Sequence, residues 1–171
     1  DATKCTACDK CAEACLLSGQ IADEFQMGLG RRAAIYRQYP QALPATYTVD
    51  PDHCLRLAGA PEPAAEGAAT LCRESPPCAA ACPEGAVDFG QVPEERSVKV
   101  GAIVVATGYD PFNPARKPEL GYDQYPGVIS SLEFERLAAG NGPTGGQIVI
   151  PGTQVKPEHV VFIHCVGSRD K

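Results

Sequence analysis

The sequence predicts an α+β fold in two parts, a cysteine-rich domain over residues 1–92 and a partial α/β unit over residues 93–171. Three observations support this prediction. Eight of the nine cysteines lie before residue 83. The polar segment QVPEERS at residues 91–97 then interrupts the chain, as a linker does. An apolar run follows it, which is typical of a strand buried on both faces of a parallel sheet.

Composition and charge exclude two classes of partner. The chain has 15 Lys plus Arg against 21 Asp plus Glu, a net charge of −6. A nucleic-acid backbone needs a basic face, so nucleic acid is not expected as a partner. No apolar run approaches the roughly 18 residues of a membrane span, and the opening residues DATKC lack a signal-peptide core. We therefore expect a cytoplasmic protein with no membrane span. Because the chain starts without Met and ends just after an apolar run, we also expect a piece of a larger polypeptide.

The first motif is the cysteine run CTACDKCAEAC at residues 5–15. Its C-x2-C-x2-C-x3-C spacing matches the bacterial ferredoxin pattern. The x2 loops turn tightly enough to aim three thiolates at one 4Fe–4S cluster, while the fourth points towards a second cluster. The motif therefore predicts a two-cluster, ferredoxin-like domain. Its members are Cys5, Cys8, Cys11 and Cys15.

The second motif is less regular. Cys54 and Cys72 are separated by 17 residues and Cys72 and Cys78 by five, and the motif ends at CPEGAVDF. Pro83 ends the local helix, and the residues after it can enter a strand. Leu16 replaces the Pro expected after the first motif, but TVDPDHC before Cys54 parallels DATKC before Cys5. In such ferredoxins the fourth cysteine of each run serves the other cluster. We therefore assign one cluster to Cys5, Cys8, Cys11 and Cys82, and the other to Cys15, Cys54, Cys72 and Cys78.

Other uses of the cysteines remain open. Structural zinc prefers two separated C-x2-C pairs around a tetrahedron, so it is a stronger alternative at the second motif than at the first. Disulfides suit a secreted protein, and nothing in the sequence indicates secretion. Cys165 lies in the apolar run VVFIHC. We expect it to be a buried strand residue and not a ligand.

The residues between the motifs, 16–53, form a longer connection than an ordinary ferredoxin needs. Within them, GLGRRA at residues 28–33 resembles a phosphate-binding loop. No strand precedes it and no helix of adequate length follows, so we interpret the match as accidental. Its two arginines, Arg31 and Arg32, are expected on a solvated or partner-facing surface.

Apolar runs predict three strands, at residues 47–49, 98–108 and 159–166. The small-residue segment at 58–69 is expected to be a mobile surface loop. Ala-Thr-Gly at the end of the second strand would let the backbone approach a ligand closely, at the sheet edge where α/β folds bind ligands.

A short helix is predicted at residues 130–137. Ser130 or Ser131 is placed to cap it, Glu133 lies in its first turn, and a Gly-Asn-Gly-Pro breaker follows. No G-x-G-x-x-G opens a strand–helix unit in the chain. This chain by itself is therefore not expected to bind a dinucleotide tightly.

Several longer sequence segments of the chain resemble a known protein family. The set comprises CTACDKCAEAC, DEFQMGLGRRAAIYRQYPQALPATYTVD, CPEGAVDF, GAIVVATGYDPF, YPGVISSLEFERL and FIHCVGSRD. Together these phrases resemble the A-type subunits of the heterodisulfide reductase family. The resemblance implies a flavoprotein of the thioredoxin-reductase type, with a two-cluster ferredoxin unit inserted in its FAD domain. Related subunits serve quinone-interacting membrane oxidoreductase complexes.

The resemblance also implies cofactor contacts and partners. Ala106, Thr107 and Gly108 would belong to a late FAD-contacting strand, and CVGSRD would lie near the flavin. The phosphate loop of the flavin site would belong to sequence outside this chain. The partners would be other redox subunits of a heterodisulfide-reductase-like complex, with hydrogenase or dehydrogenase subunits among the candidates.

These observations predict an electron-transfer iron–sulfur segment that relays single electrons between FAD and partner subunits. The segment is not expected to be catalytic alone. The alternatives are a free-standing two-cluster ferredoxin and a zinc-stabilised interaction module. A free-standing ferredoxin should not need the residues after Phe89, and a zinc module would show no electron paramagnetic resonance (EPR) signal after reduction.

Overall fold

The computed structural model describes residues 1–59, 66–92 and 94–168. The chain divides into two compact units, Asp1–Val92 and Pro93–Lys171. Across the described ranges, no helix is both long enough and apolar enough to cross a bilayer.

The first unit consists of short elements joined by loops. All four strands formed by its described residues lie between the two cysteine motifs, where they pair as two antiparallel ladders. The strand predicted at residues 47–49 is confirmed as the last of the four. The strands are β1 (Ile21–Ala22), which pairs with β2 (Arg31–Arg32), and β3 (Ile35–Tyr36), which pairs with β4 (Thr48–Val49). The helices are α1 (Lys10–Glu13), α2 (Glu66–Glu74) and α3 (Pro77–Ala80).

The GLGRRA segment closes the turn between β1 and β2. A 3-10 helix, Glu24–Gln26, begins this turn, and the Asp23 side chain caps it by accepting the Phe25 N–H at 3.1 Å. Met27 and Gly28 then take left-handed conformations, with φ of 56° and 75°. The segment therefore runs into a strand and does not open a helix. The expectation that no helix follows the segment is confirmed, whereas the expectation that no strand precedes it is wrong, because β1 does.

Arg32 lies in the interior, so the prediction of a surface position for it is wrong. The residue is 8% exposed. Its guanidinium donates to both carboxylate oxygens of Glu24 and to Asp50 Oδ2, each at 2.8 Å, and lies 4.0 Å from the ring centroid of Tyr36. A buried guanidinium is costly without such partners. Arg31 is exposed because successive strand residues point to opposite faces.

Asp50 connects this buried ion pair to the second cysteine motif. Its Oδ1 accepts the N–H groups of Asp52 and His53 at 3.0 and 3.3 Å, and its carbonyl accepts the Cys54 N–H at 3.0 Å. Burial opposes ionisation, but the bonds from Arg32, Asp52 and His53 outweigh it and hold the pKa of Asp50 below its usual value. The turn that delivers Cys54 is therefore fixed by a carboxylate that β2 holds in place.

The core of the first unit is small and includes cysteine. Ile21, Ala34 and Cys54 form a buried cluster. Cys15 and three partly buried apolar residues pack against it, namely Leu17, Val49 and Phe89. All nine cysteines are free thiols, so no disulfide reinforces this core. Small cores are commonly reinforced by bound metal, and cysteine in the core makes that reinforcement available here.

Helix α2 replaces part of the loop predicted at residues 58–69. Residues from Glu66 onwards are helical, so the loop prediction is wrong for this part. The Ala-rich composition favours a helix, and Ala69 is completely buried. Residues 60–65 of the predicted loop lie outside the described residues.

The described part of the second unit contains helix α4 (Ser131–Ala138) and two 3-10 helices, Pro114–Arg116 and Pro118–Leu120. Ser130 caps α4. Its Oγ accepts the Glu133 N–H at 3.2 Å, and the Glu133 carboxylate accepts the Ser130 N–H at 2.6 Å. The predicted helix is confirmed, and Ser130 is the cap among the two candidate serines.

The strands predicted at residues 98–108 and 159–166 are wrong for this structure, because residues 94–168 form no β-strand. Val104 is 89% exposed. Cys165 is exposed at a left-handed turn, with φ of 58°, and is not a buried strand residue. A strand buried on both faces needs neighbouring strands, and the described part of this unit supplies none. The chain as a whole is mixed α/β, but the predicted flavin-domain sheet is not formed by these residues.

Replacing Ser130 by Ala is expected to lower the free energy of unfolding by about 1 kcal/mol, because the Glu133 N–H loses its acceptor. Urea unfolding followed by circular dichroism measures this loss. Ser131→Ala is the matched control, since Ser131 is an exposed helical residue and not the cap. Equal losses from the two variants would contradict the assignment of the cap.

Replacing Asp50 by Asn is expected to lower the free energy of unfolding at pH 7 by about 3–5 kcal/mol, because it leaves buried Arg32 with a single carboxylate partner, Glu24, whose side chain is mostly exposed. Glu24→Gln is the control. The Glu24 side chain is 67% exposed, so its loss should amount to about 1 kcal/mol or less. Urea unfolding of the two variants makes the comparison.

The effect of Asp50 should also depend on pH. Its folded pKa lies below the usual 3.8, so its ionised form stabilises the fold above about pH 4. That contribution is lost as the pH falls through the lowered folded pKa. The difference between the unaltered chain and Asp50→Asn should therefore shrink in acid, and a constant difference would contradict the linkage.

Candidate metal centres

Three cysteines of the first motif and one of the second line the same pocket. Cys5, Cys8, Cys11 and Cys82 lie on the wall of a cavity of about 230 Å³. Cys11 is buried and Cys8 is exposed, so one edge of the pocket reaches solvent. Polar side chains such as Tyr47 complete the wall.

The other four motif cysteines line a second, smaller pocket of about 20 Å³. The remaining residues of its wall are all apolar. The structure thus gathers the eight cysteines into the same two groups of four that the spacing predicted. Each group contains one cysteine from the opposite motif. The members of the second group are Cys15, Cys54, Cys72 and Cys78.

The first motif turns through two left-handed residues. Ala7 and Asp9 have φ of 54° and 65°, which is uncommon for residues other than glycine. They lie between successive cysteines, where the chain reverses to bring three thiols to one pocket. The Asp9 carboxylate accepts a hydrogen bond from the Tyr47 hydroxyl and lies 3.6 Å from Arg37. The cysteine loop is therefore tied to the segment around β4.

The two motifs end in the same way. Helices α1 and α3 have four residues each and lie in contact, and they contain Cys11 and Cys78 respectively. The next cysteine, Cys15 or Cys82, lies beyond the helix end. Its N–H donates to the carbonyl three residues earlier, at 3.3 and 3.2 Å respectively. In both motifs the cysteine beyond the helix lines the pocket of the other motif.

The thiols differ in how readily they ionise. Burial raises the pKa of Cys11 and of Cys78 to about 11, and it also raises the pKa of Cys72. The pKa of Cys82 is lowered because the Ala86 N–H donates to its Sγ at 3.2 Å. Cluster and metal ligands are thiolates, so binding must displace protons from the buried thiols.

The motif cysteines are not gathered around single metal-ion positions. Among the described residues, no three His, Cys, Asp or Glu side chains converge closely enough to hold one metal ion. A tetrahedral zinc site with Zn–S bonds of about 2.3 Å holds its sulfurs roughly 3.8 Å apart.

The three residues predicted to contact FAD lie in the second unit. Ala106, Thr107 and Gly108 are exposed and belong to no helix or strand. Gly108 has a left-handed backbone, with φ of 78°. Their contact with a flavin stays a prediction.

Two residues around the second pocket were missed in the sequence. Asp50 lies four positions before Cys54 and fixes its turn, and Arg56 lies two positions after it and contacts the Cys72 carbonyl. The available signal was the presence of charged residues so close to a core cysteine. That signal is weak, because most charged residues near a motif are solvated.

Comparisons with known proteins match both the domain and the whole chain. A family model described as a 4Fe–4S dicluster domain matches residues 4–86. The chain is 43% identical, over 99% of its length, to the A-type iron-sulfur subunit of the CoB–CoM heterodisulfide reductase of Methanocaldococcus jannaschii. It is 41% identical, over 98% of its length, to the A-type subunit of the ferredoxin:CoB-CoM heterodisulfide reductase of Methanosarcina mazei.

The chain spans only part of these relatives, 23% of the first protein and 19% of the second. The matched region of the domain model includes all eight motif cysteines. The resemblance to the A-type subunits of the heterodisulfide reductases is thus confirmed along nearly the whole chain. Residues 4–86 of the chain form a dicluster domain for two 4Fe–4S clusters.

Proposed function

We propose that this chain is the electron-transfer segment of a larger, heterodisulfide-reductase-A-like flavoprotein, and that it relays single electrons between FAD and partner subunits. The observation that carries the proposal is a pair of four-cysteine pockets with a common wall. Ile35, Val49 and Phe89 line both pockets. Two clusters held on either side of such a wall would be near enough for a relay.

The ligand sets follow the two pockets. One cluster takes Cys5, Cys8, Cys11 and Cys82, and the other takes Cys15, Cys54, Cys72 and Cys78. A 4Fe–4S cluster takes four thiolates, and each pocket offers four cysteines. When bound, the clusters supply one-electron redox chemistry. The Ala86 N–H, which donates to Cys82 Sγ, favours the thiolate that ligation requires.

The surroundings of the cysteines suit different ends of a relay. Cys8 is exposed, so the first pocket has an edge through which a partner can exchange an electron. Cys54 is buried, and the residues other than cysteine on the wall of the second pocket are apolar. Each set includes a cysteine from the other motif, which holds the two sites at a fixed separation.

We extend the proposal to the second unit, residues 93–171, as part of a flavin domain that the full polypeptide completes. Val104 and Val161 are 89% and 84% exposed, which indicates surfaces that need a partner. In that setting Ala106, Thr107 and Gly108 would approach FAD. The partners would be redox subunits of a complex in the cytoplasm.

The ligand sets can be tested with pairs of substitutions in the flavoprotein that contains this chain. Cys11→Ser with Cys82→Ser removes two ligands from one proposed site, so we expect about four iron atoms to be lost and one EPR signal of the reduced protein to disappear. Cys78→Ser with Cys82→Ser removes one ligand from each site, so both signals should change.

The opposite pattern would overturn the proposed sets. If each motif held its own cluster, Cys78 and Cys82 would share a site, and their double variant would lose a single signal. In that case the Cys11 and Cys82 pair would disturb both signals. Iron content and EPR spectra of anaerobically purified protein distinguish the two patterns.

A further inference from the structure

Arg56 ties together two cysteines of the second pocket. It lies on the turn that follows Cys54, where the N–H groups of Leu57 and Ala58 donate to the Cys54 carbonyl at 2.9 and 2.8 Å. Its Nη1 donates to the carbonyl of Cys72 at 3.0 Å and also to that of Arg73. These carbonyls belong to the last turn of α2, where backbone acceptors are unpaired and a cation is favoured.

The same guanidinium lies against the wall between the two pockets. Its central carbon is 5.0 Å from the ring centroid of Phe89, within the range of a cation–π contact. Phe89 lines both cysteine pockets. The positive charge is therefore held in place by three contacts, two to carbonyls and one to the ring.

The charge of Arg56 is not neutralised in the way that of Arg32 is. Arg32 has two carboxylate partners, Glu24 and Asp50. Within the described part of the chain, the ion pairs include none to Arg56, and its contacts are neutral groups. The second pocket has an otherwise apolar wall, where a nearby charge acts more strongly than it does in water.

We propose that Arg56 positions Cys54 and Cys72 and raises the reduction potential of the cluster in the second pocket. The inference rests on the ligand sets proposed above. Reduction adds one electron from a redox partner and makes the site one unit more negative, with no proton needed for balance. A fixed positive charge beside the site stabilises that reduced state. Arg56 thus favours residence of the electron on the second cluster.

The test is a redox titration of the flavoprotein with EPR detection. Arg56→Gln is expected to shift the midpoint potential of one cluster to a more negative value. Arg56→Lys keeps the charge and should keep most of the potential. Arg31→Gln removes an exposed guanidinium that donates to the Gln20 carbonyl, and it should leave both potentials unchanged.

The affected cluster is identified with a double variant, Cys15→Ser with Cys78→Ser, which lacks the second cluster under the proposed sets. Adding Arg56→Gln to this double variant should not move the remaining potential. If the cysteine pairs behave as proposed but Arg56→Gln leaves both potentials unchanged, the inference fails and the proposed function stands. If the cysteine pairs show the opposite pattern, the ligand sets themselves fail.

Loss of the second cluster from Arg56→Gln would support the positioning role, and Arg56→Lys then decides the role of charge. A lysine variant that holds its iron and titrates near the unaltered potential supports the inference. A lysine variant that holds its iron but titrates at a clearly more negative potential than the unaltered protein would overturn the claim that charge sets the potential.

Discussion

Each of the two four-residue helices, α1 and α3, contains one cysteine and is followed by another just beyond its end. This offset joins the halves of the first unit, because Cys15 lines the pocket of the second motif and Cys82 lines that of the first. Neither pocket is complete without the other half. Cys54 also belongs to the buried core, and Cys15 packs against it. Core and cluster sites therefore share residues, and cluster binding should be coupled to folding.

The insertion between the motifs supports the second site. Its strands carry Arg32 into the interior, where Asp50 pairs with it and fixes the turn before Cys54. A buried ion pair is weak evidence for net stability, since well-packed apolar residues often do as well. Here the ion pair positions the cysteine turn, because Asp50 is hydrogen-bonded both to Arg32 of β2 and to the backbone of the turn before Cys54. The same insertion supplies Ile35 and Val49 to the wall between the pockets.

The two pockets differ in their surroundings, although their cysteine sets are alike. The first has an exposed cysteine and polar side chains on its wall, whereas the second is apolar and has Arg56 beside it. Cluster potentials respond to charge, hydrogen bonding and exposure. A repeat that makes two similar sites can therefore produce two unequal redox centres, through residues that lie outside the repeated motif.

The sequence by itself predicted the grouping of the cysteines, because the spacing of the first motif matches the two-cluster ferredoxin pattern, in which the fourth cysteine of each run serves the other cluster. The helix at α4 is also local, since Ser130 and Glu133 are three residues apart. Only the tertiary structure decided that Arg32 is buried and that Arg56 reaches Cys72, because the partners are 18 and 16 residues away in sequence. It also decided the exposure of the apolar run at residues 98–108. An apolar run in the sequence predicts a strand, but a strand forms only when another strand completes its backbone hydrogen bonds.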